Sequence, residues 1–218
     1  MVDEKKIREL GVTLVELSKA TYIDYVGISN CAMNLLKIVF GEDYCFEIDV
    51  RKIATELGMM IVEQPLDRFS PREEKDIEER YIGKLFKRIS MVTREKECIL
   101  LLDTEVFPEN MIRCTIAKMI GHCLMNYDKD NIIKDKQKVP IEFDEMEDVV
   151  ANIFARFLLI PSSLVFQEFE EYFKNGYKKE KREDSWYKYL SIVAFVPIYE
   201  ATIAWQETRL IRVLNPQK

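Results

Sequence analysis

The sequence predicts an α+β protein, and three observations lead to this class. Apolar residues recur at helical spacing in residues 7–40 and again from residue 108 onward. Between these helical regions lie short segments of strand character, so that the order along the chain is helices, a small sheet and then helices. Such segregation is typical of α+β folds. Apolar residues make up 48% and charged residues 32% of the 218 residues, a composition typical of a soluble globular protein.

The N-terminal part, residues 1–47, is expected to form a helical arm. The pattern in residues 7–40 indicates two or three helices, with breaks near Gly11 and at residues 27–30. Residues 11–19 weakly resemble the start of a helix-turn-helix motif, which leaves a DNA-binding regulator as an alternative. The basic recognition helix of such a motif is missing, and the net charge is −6. We therefore favour a packing arm and do not expect nucleic acid as a partner.

The middle of the chain is predicted to hold a small, mostly antiparallel sheet. A helix over residues 49–58 leads directly into a strand over 59–63. A polar helix over 70–80 follows, and strands over 85–93 and 97–102 then form an antiparallel hairpin around a charged turn. The last of these strands is continuously apolar, so we expect it to lie in the centre of the sheet.

The rest of the chain is predicted to be helical. Its helices are expected over residues 108–127, 144–160, 164–173, 185–195 and 197–213. Residues 166–218 are expected to pack on the core as C-terminal helices. The basic stretch 174–182 is interpreted either as a solvated loop or as a contact for an acidic partner or phosphates.

Cysteine usage predicts a reducing environment. The chain has five cysteines, an odd number, and no C-x-x-C motif. Its first residues are charged and do not form a secretory signal, and no apolar run is long enough to cross a membrane. We therefore expect a cytoplasmic protein with free thiols and no membrane partner.

The candidate site is built around His122, the single histidine of the chain. Lys118 precedes it by one helical turn, and positions i and i+4 share one face of a helix. In zinc peptidases the motif H-E-x-x-H places two zinc ligands at these positions and the catalytic Glu directly after the first. Here, Lys118 and Met119 stand at the positions of the first His and the Glu.

Three segments together resemble the ImmA/IrrE family of zinc metallopeptidases. They are the strand at residues 99–103, the helix at 111–122 and the helix at 148–161. The last helix resembles the family pattern E-x-x-A-N-x-F-A-x-x-L-L-x-P at seven positions, namely Ala151, Asn152, Phe154, Ala155, Leu158, Leu159 and Pro161. The resemblance covers residues 48–165. It implies a metallopeptidase-like domain in which the sheet packs on zincin-like core helices.

The resemblance also implies which zinc-site positions are kept. His122 stands at the second zinc ligand and Asp148 at the third, whereas Lys118 and Met119 replace the first ligand and the catalytic Glu. Neutralising a lysine at pH 7 so that it could bind a metal costs about 4–5 kcal/mol. Methionine cannot act as a general base. We therefore expect no catalytic residues and no bound metal, with His122 and Asp148 as relic ligand positions.

Two placements of Lys118 are open at this point. In the first, its ammonium group takes over the structural role of the metal and pairs with Asp148, with His122 close by. In the second, its side chain extends into solvent and His122 is an ordinary polar residue of a relic cleft.

The sequence thus predicts a pseudoenzyme, a catalytically inactive metallopeptidase-like protein that acts by binding another protein. The family resemblance implies a helix-turn-helix repressor or a stress regulator of a phage or mobile element as the partner. The alternative is an active, zinc-dependent endopeptidase with an atypical site formed by His122, Asp148 and Cys114.

Overall fold

The computed structural model describes residues 2–63, 83–89, 96–102, 104, 107–126, 139–140, 144–174 and 183–214. Within this part the helices are α1 Glu4–Ser18, α2 Tyr25–Phe40, α3 Val50–Glu56, α4 Glu109–Met125, α5 Glu145–Leu159, α6 Ser162–Lys174, α7 Glu183–Val193 and α8 Ile198–Leu214. The strands are β1 Met59–Glu63, β2 Gly83–Ile89, β3 Lys96–Leu102 and β4 Val139–Pro140. The chain therefore folds as an α+β protein.

The described strands form one mixed sheet in the order β1-β3-β2-β4. β2 pairs antiparallel with both β3 and β4, whereas β1 pairs parallel to β3, with Met59 opposite Cys98. The prediction of a mostly antiparallel sheet did not include this parallel pair, because apolar patterning identifies strands without fixing their direction. The apolar strand β3 lies inside the sheet as predicted, since β1 and β2 flank it.

The predicted break near Gly11 is wrong. Gly11 lies inside the continuous helix α1, and a Cβ atom there would collide with the backbone carbonyl of Leu124 on α4. The glycine therefore permits close contact between two helices. The interruption between α1 and α2 lies earlier than the predicted break at 27–30, because Asp24 caps α2 by accepting a hydrogen bond from the amide of Gly27 at 2.9 Å.

Helices α4 and α5 occupy the centre of the core. They approach closely at Gly121, where an added Cβ would lie 3.1 Å from Phe154 Cδ1 and 3.3 Å from the Cα atom of Ala151. Phe154 and Ala151 are fully buried. Close packing of these two helices brings the face of α4 that carries Lys118 and His122 against the beginning of α5.

The C-terminal helices pack together through aromatic side chains. The ring of Phe169 on α6 stacks on that of Trp205 on α8 at 4.6 Å and meets the buried Trp186 of α7 edge-on at 5.2 Å. The apolar side chains of these helices belong to the same core as those of α1, α2, α4 and α5. This packing places α8 beside α5 and the candidate site.

Several predictions fall outside the described residues. They concern the polar helix at 70–80, the end of the strand at 90–93, the turn residues 94–95 and most of the basic stretch, 175–182. In the described part, no single helix is long and apolar enough to span a membrane. The consecutive helices α5 and α6, which are bent by 47° relative to each other, are together long and apolar enough to span a membrane when only length and composition are considered.

Candidate functional site

Two helices place the predicted site residues next to each other. Lys118 and His122 lie one turn apart on α4, and Asp148 lies in the first turn of α5. The helix α5 begins where the Asp144 side chain accepts a hydrogen bond from the amide of Met146 at 2.8 Å. The beginning of a helix carries a partial positive charge, which stabilises the nearby Asp148 carboxylate.

The Asp148 carboxylate accepts hydrogen bonds from three side chains. The Lys118 Nζ atom lies 2.8 Å from Asp148 Oδ1 and 2.9 Å from Oδ2. His122 Nε2 lies 3.0 Å from Oδ1, and the Asn152 amide nitrogen lies 3.2 Å from Oδ2. Of the family-like positions on α5, Asn152 is therefore the one that supports the acidic residue directly.

The first of the two placements left open for Lys118, an ion pair with Asp148, is the one that the structure shows. The alternative, in which Lys118 extends into solvent, is wrong, because only 26% of its side chain is exposed and its nitrogen contacts both carboxylate oxygens. An ion pair in such partly buried surroundings is screened less than one on the surface. The pair connects the middle of α4 with the start of α5.

The charge states of the pair and of His122 follow from their surroundings. Burial alone would raise the pKa of Asp148, but the hydrogen bonds and charges of Lys118 and His122 lower it on balance. His122 is completely buried, and this burial lowers its pKa to about 4, although Asp148 acts in the opposite direction. At pH 7 we therefore assign an ionised Asp148 beside a neutral His122.

These charge states determine the histidine tautomer. An ionised carboxylate has no proton to donate, so His122 Nε2 must donate the hydrogen bond to Asp148 Oδ1. A nitrogen that carries a proton has no lone pair for a metal. Binding of zinc at Nε2 would require this hydrogen bond to break.

The residues of the site do not fit a zinc ion. Structural zinc sites use four ligands, and catalytic sites use three protein ligands with one open position. Among the described residues, no group of three or more His, Cys, Asp or Glu side chains could hold a metal ion. The Lys118 ammonium group already contacts both Asp148 oxygens.

Neither Cys114 nor Met119 supplies the missing chemistry. The structure does not bring Cys114 together with His122 and Asp148 as a metal-binding group. Burial raises the pKa of its thiol to about 12, which disfavours the thiolate that zinc requires. Met119 is partly buried and packs against the core.

A cavity of about 130 Å³ lies next to Lys118, between α4, α5 and the start of α8. Its polar lining includes Cys114, Asn152, Arg156 and Glu200. The cavity touches Lys118 from the direction of α8. The site is therefore bordered by the C-terminal helices as well as by the two helices that carry the motif.

Arg156 and its two carboxylate partners were not predicted from the sequence. Arg156 Nε lies 2.8 Å from Glu207 Oε2, and Nη2 lies 2.6 Å from Glu207 Oε1. Glu200 Oε2 lies 3.6 Å from Arg156 Nη1, and burial raises the pKa of Glu200. The sequence did contain an indication of this cluster. Glu200 and Glu207 lie seven positions apart on an amphipathic helix, and this spacing places both side chains on one face, where they can share a basic partner.

A comparison of the chain with models of known protein families finds no match, and a search of curated proteins finds none either. The likeness to the ImmA/IrrE family therefore rests on the strand at 99–103 and the two helix motifs, and it stays a prediction.

Proposed function

We propose that this protein is a metallopeptidase-like pseudoenzyme that binds another protein without cleaving it. In this proposal α4, α5 and the sheet correspond to a zincin-like core, as the motif resemblance suggests. One observation carries the proposal: the Lys118 ammonium group contacts both Asp148 oxygens at 2.8 and 2.9 Å. An ion pair at this position maintains the contact between two helices without a metal, and it offers neither a Lewis acid nor a general base.

The partner we propose is a helix-turn-helix repressor or a stress regulator of a phage or mobile element. The family resemblance suggests this class of partner. The mechanism would be sequestration, since a protein that binds a regulator stoichiometrically lowers its free concentration. The cleft beside Lys118, whose lining includes Asn152 and Glu200, would serve as one docking surface, in the place where a peptidase holds its substrate.

Restoring the motif tests the loss of the metal site. Lys118→His combined with Met119→Glu recreates H-E-x-x-H, and Asp148 is then free to act as the third ligand. We expect this double variant to retain stoichiometric zinc after purification, as measured by inductively coupled plasma mass spectrometry. Lys118→Gln with the native Met119 is the matched control and should retain none.

The same measurement on the wild-type chain can overturn the proposal. Stoichiometric zinc in the wild type, together with peptide cleavage that a chelator abolishes, would establish the atypical endopeptidase in its place. Retention of a partner from native lysate is a second test, because we expect Lys118→Gln, a change in the lining of the cleft, to reduce it. His122 is completely buried and cannot contact a partner directly. A variant of the exposed Lys5, Lys5→Gln, should retain the partner as the wild type does.

A further inference from the structure

Exposed apolar side chains are concentrated in the C-terminal part of the described structure. Of the eleven large apolar residues that are exposed in the described part of the chain, eight lie between residues 192 and 214. Six of these eight belong to α8, namely Ile198, Tyr199, Ile203, Leu210, Val213 and Leu214. Clustered apolar surface of this kind marks a place where a protein contacts another molecule.

Most of these side chains form a single stripe along α8. The α8 stripe consists of Tyr199, Ile203, Gln206, Leu210 and Val213, which follow one another at intervals of four, three, four and three residues. This is the heptad spacing of the a and d positions of a coiled coil, and it places all five side chains on one narrow face of the helix. Gln206 is exposed like its apolar neighbours.

The stripe is separate from the surface by which α8 packs on its own chain. Ala201, Ala204, Trp205 and Thr208 are buried on the other side of the helix. The ring of Trp205 stacks there on Phe169 of α6. A helix that only completes a core needs one apolar face. The second face of α8, which has heptad spacing and is open to solvent, therefore suits contact with another helix.

The apolar area of the stripe matches the area that a homodimer needs. The four apolar side chains of the stripe and the adjacent Leu214 are between 37% and 76% exposed. At about 200 Å² for a fully exposed large side chain, they expose roughly 500 Å². A standard interface buries about 800 Å² on each partner, and about 65% of a homodimer interface is apolar, which also gives roughly 500 Å². A second copy of the chain can therefore cover the stripe with its own stripe.

The charges of α8 favour an antiparallel arrangement of two copies. Glu200 lies in the first turn of the helix and Arg212 in its last turn. Antiparallel pairing about an axis near Gln206 brings Glu200 close to Arg212 of the partner subunit and aligns the two helix dipoles favourably. Parallel pairing would instead place two like charges side by side. The Gln206 amide both donates and accepts hydrogen bonds, so two such amides can bond each other near the centre of the contact.

A membrane surface fits the stripe less well than a second copy does. Helices that lie on a membrane carry a polar face rich in Lys and Arg. The face of α8 opposite the stripe is instead buried in the core. The chain also has a net charge of −6, which anionic lipids repel.

We propose that the protein forms a homodimer in which the α8 stripes of two copies pack against each other in antiparallel orientation. Tyr199 belongs to the stripe and also lines the cavity next to Lys118. In the dimer the second copy therefore borders that cavity on the side of α8. This inference does not depend on the proposed function, because it concerns the contact between two copies of the chain.

Sedimentation equilibrium of the full-length chain tests the inference. We expect a dimer at about 50 µM, because interfaces of this size have dissociation constants in the micromolar range or lower. Leu210→Glu should weaken dimerisation about a hundredfold, since each of the two copies loses an apolar contact worth at least tenfold. Val12→Glu changes an apolar residue of α1 that is 48% exposed. It is the matched control and should dimerise as the wild type does.

Chemical cross-linking tests the orientation. In a Cys45→Ser background, which lacks the exposed native cysteine, Gln206→Cys should be joined to its counterpart by a short bismaleimide. Val213→Cys should not be joined, because antiparallel pairing separates the two residues by roughly 20 Å along the helices at 1.5 Å per residue. The Cys45→Ser chain without a new cysteine is the control and should give no cross-linked dimer.

A thermal melt in dilute solution shows whether Leu210 acts in the contact or within one copy. Leu210→Glu should melt at the same temperature as Val12→Glu, because both side chains are exposed in the single copy. A lower melting temperature for Leu210→Glu would make Leu210 a structural residue of the single copy and would overturn the inference.

The other measurements can overturn the inference as well. It fails if the wild type sediments as a monomer, if Leu210→Glu dimerises as strongly as the wild type, or if Val213→Cys is cross-linked as readily as Gln206→Cys. A monomer that floats with vesicles of phosphatidylcholine and phosphatidylserine would assign the stripe to a membrane surface in place of a second copy.

Discussion

Lys118 and Arg113 lie on the same helix, α4, but in different electrostatic surroundings. Lys118 contacts both oxygens of Asp148, and His122 and Asn152 complete the hydrogen bonds of that carboxylate. Arg113 has two buried nitrogens without acceptors in the described structure, and its guanidinium carbon lies 5.7 Å from the centroid of the Phe195 ring. The charges of Glu109, Asp49 and Glu47 act to raise the pKa of Arg113, but burial outweighs them and lowers it. On one face of the helix the cation therefore has a carboxylate partner, whereas on the other face two nitrogens of the cation have no acceptor in the described structure.

The difference separates a cation that has its hydrogen-bond partners from a cation whose burial is incompletely compensated. Lys118 connects α4 with α5, so its removal should weaken the fold. Two nitrogens of Arg113 are buried without acceptors in the described structure, so its removal should leave the fold unharmed. Both expectations follow from the rule that a buried polar group stabilises a protein only when it has a partner.

The largest expected effect concerns His122 and pH. Its folded-state pKa of about 4 lies below its ordinary value of 6.5. Between these values the unfolded chain binds a proton that the folded chain does not, so the free energy of unfolding falls as the pH is lowered from about 6.5 to 4. The fall should amount to about 3 kcal/mol. Urea unfolding of the wild type and of His122→Gln at both ends of this range measures it, and an equal pH dependence of the two proteins would contradict it.

The second effect concerns the carboxylate that neutralises Lys118. Asp148→Asn should lower the free energy of unfolding by about 2 kcal/mol, between the values for exposed and for fully buried ion pairs. The intermediate value reflects the 41% exposure of the Asp148 side chain. Because the pKa of Asp148 is lowered, its contribution is present above its ordinary pKa of 3.8 and is lost as the pH falls through the lower folded-state value.

A double variant shows whether this loss comes from the pair. Lys118→Met combined with Asp148→Asn should cost less than the sum of the two single changes, because the pair is broken only once. Chemical denaturation of the four proteins at pH 7 gives the coupling energy. Strict additivity would mean that the contact between the two side chains contributes nothing to stability.

The third effect compares the two cations directly. Arg113→Met should raise the free energy of unfolding by about 1 kcal/mol, because it removes donors that lack acceptors. Lys118→Met should lower it by about 1 kcal/mol, because Asp148 loses its charged partner. The two variants carry the same substitution on the same helix, so each is the control for the other. Denaturant unfolding measures both values. If the two variants changed the free energy of unfolding in the same direction, Lys118 and Arg113 would not differ in their contribution to stability.

The smallest effect on stability is expected at the exposed residue Glu47. Glu47→Gln should change the free energy of unfolding by less than about 0.5 kcal/mol, as is usual for surface positions. The change should be smaller at high than at low ionic strength, because salt screens exposed charges. Urea unfolding at two salt concentrations measures it, and a change above about 1 kcal/mol would contradict this expectation.

Much of the Lys118 site could be predicted because its signals are local. The spacing of Lys118 and His122 places both side chains on one face of α4, and the second helix motif supplies Asp148. Local patterns were less informative about glycines. Gly11 was interpreted as a helix break, whereas it is a point of close contact with α4, because a glycine has the same sequence signature in both roles.

The sequence by itself determined the α+β class, the helices α4 and α5, and the position of Lys118 one turn before His122, since these depend on residue type and short-range periodicity. Only the tertiary structure decided how the sheet is ordered, that Glu207 and Glu200 meet Arg156, and that Arg113 lies without acceptors beside Phe195. The physical reason is that charge pairing and desolvation depend on which distant segments share a surface. Helix α8 packs beside α5, and Phe195 in the turn between α7 and α8 lies near Arg113 of α4. These contacts join segments that are distant in sequence, so no local pattern predicts them.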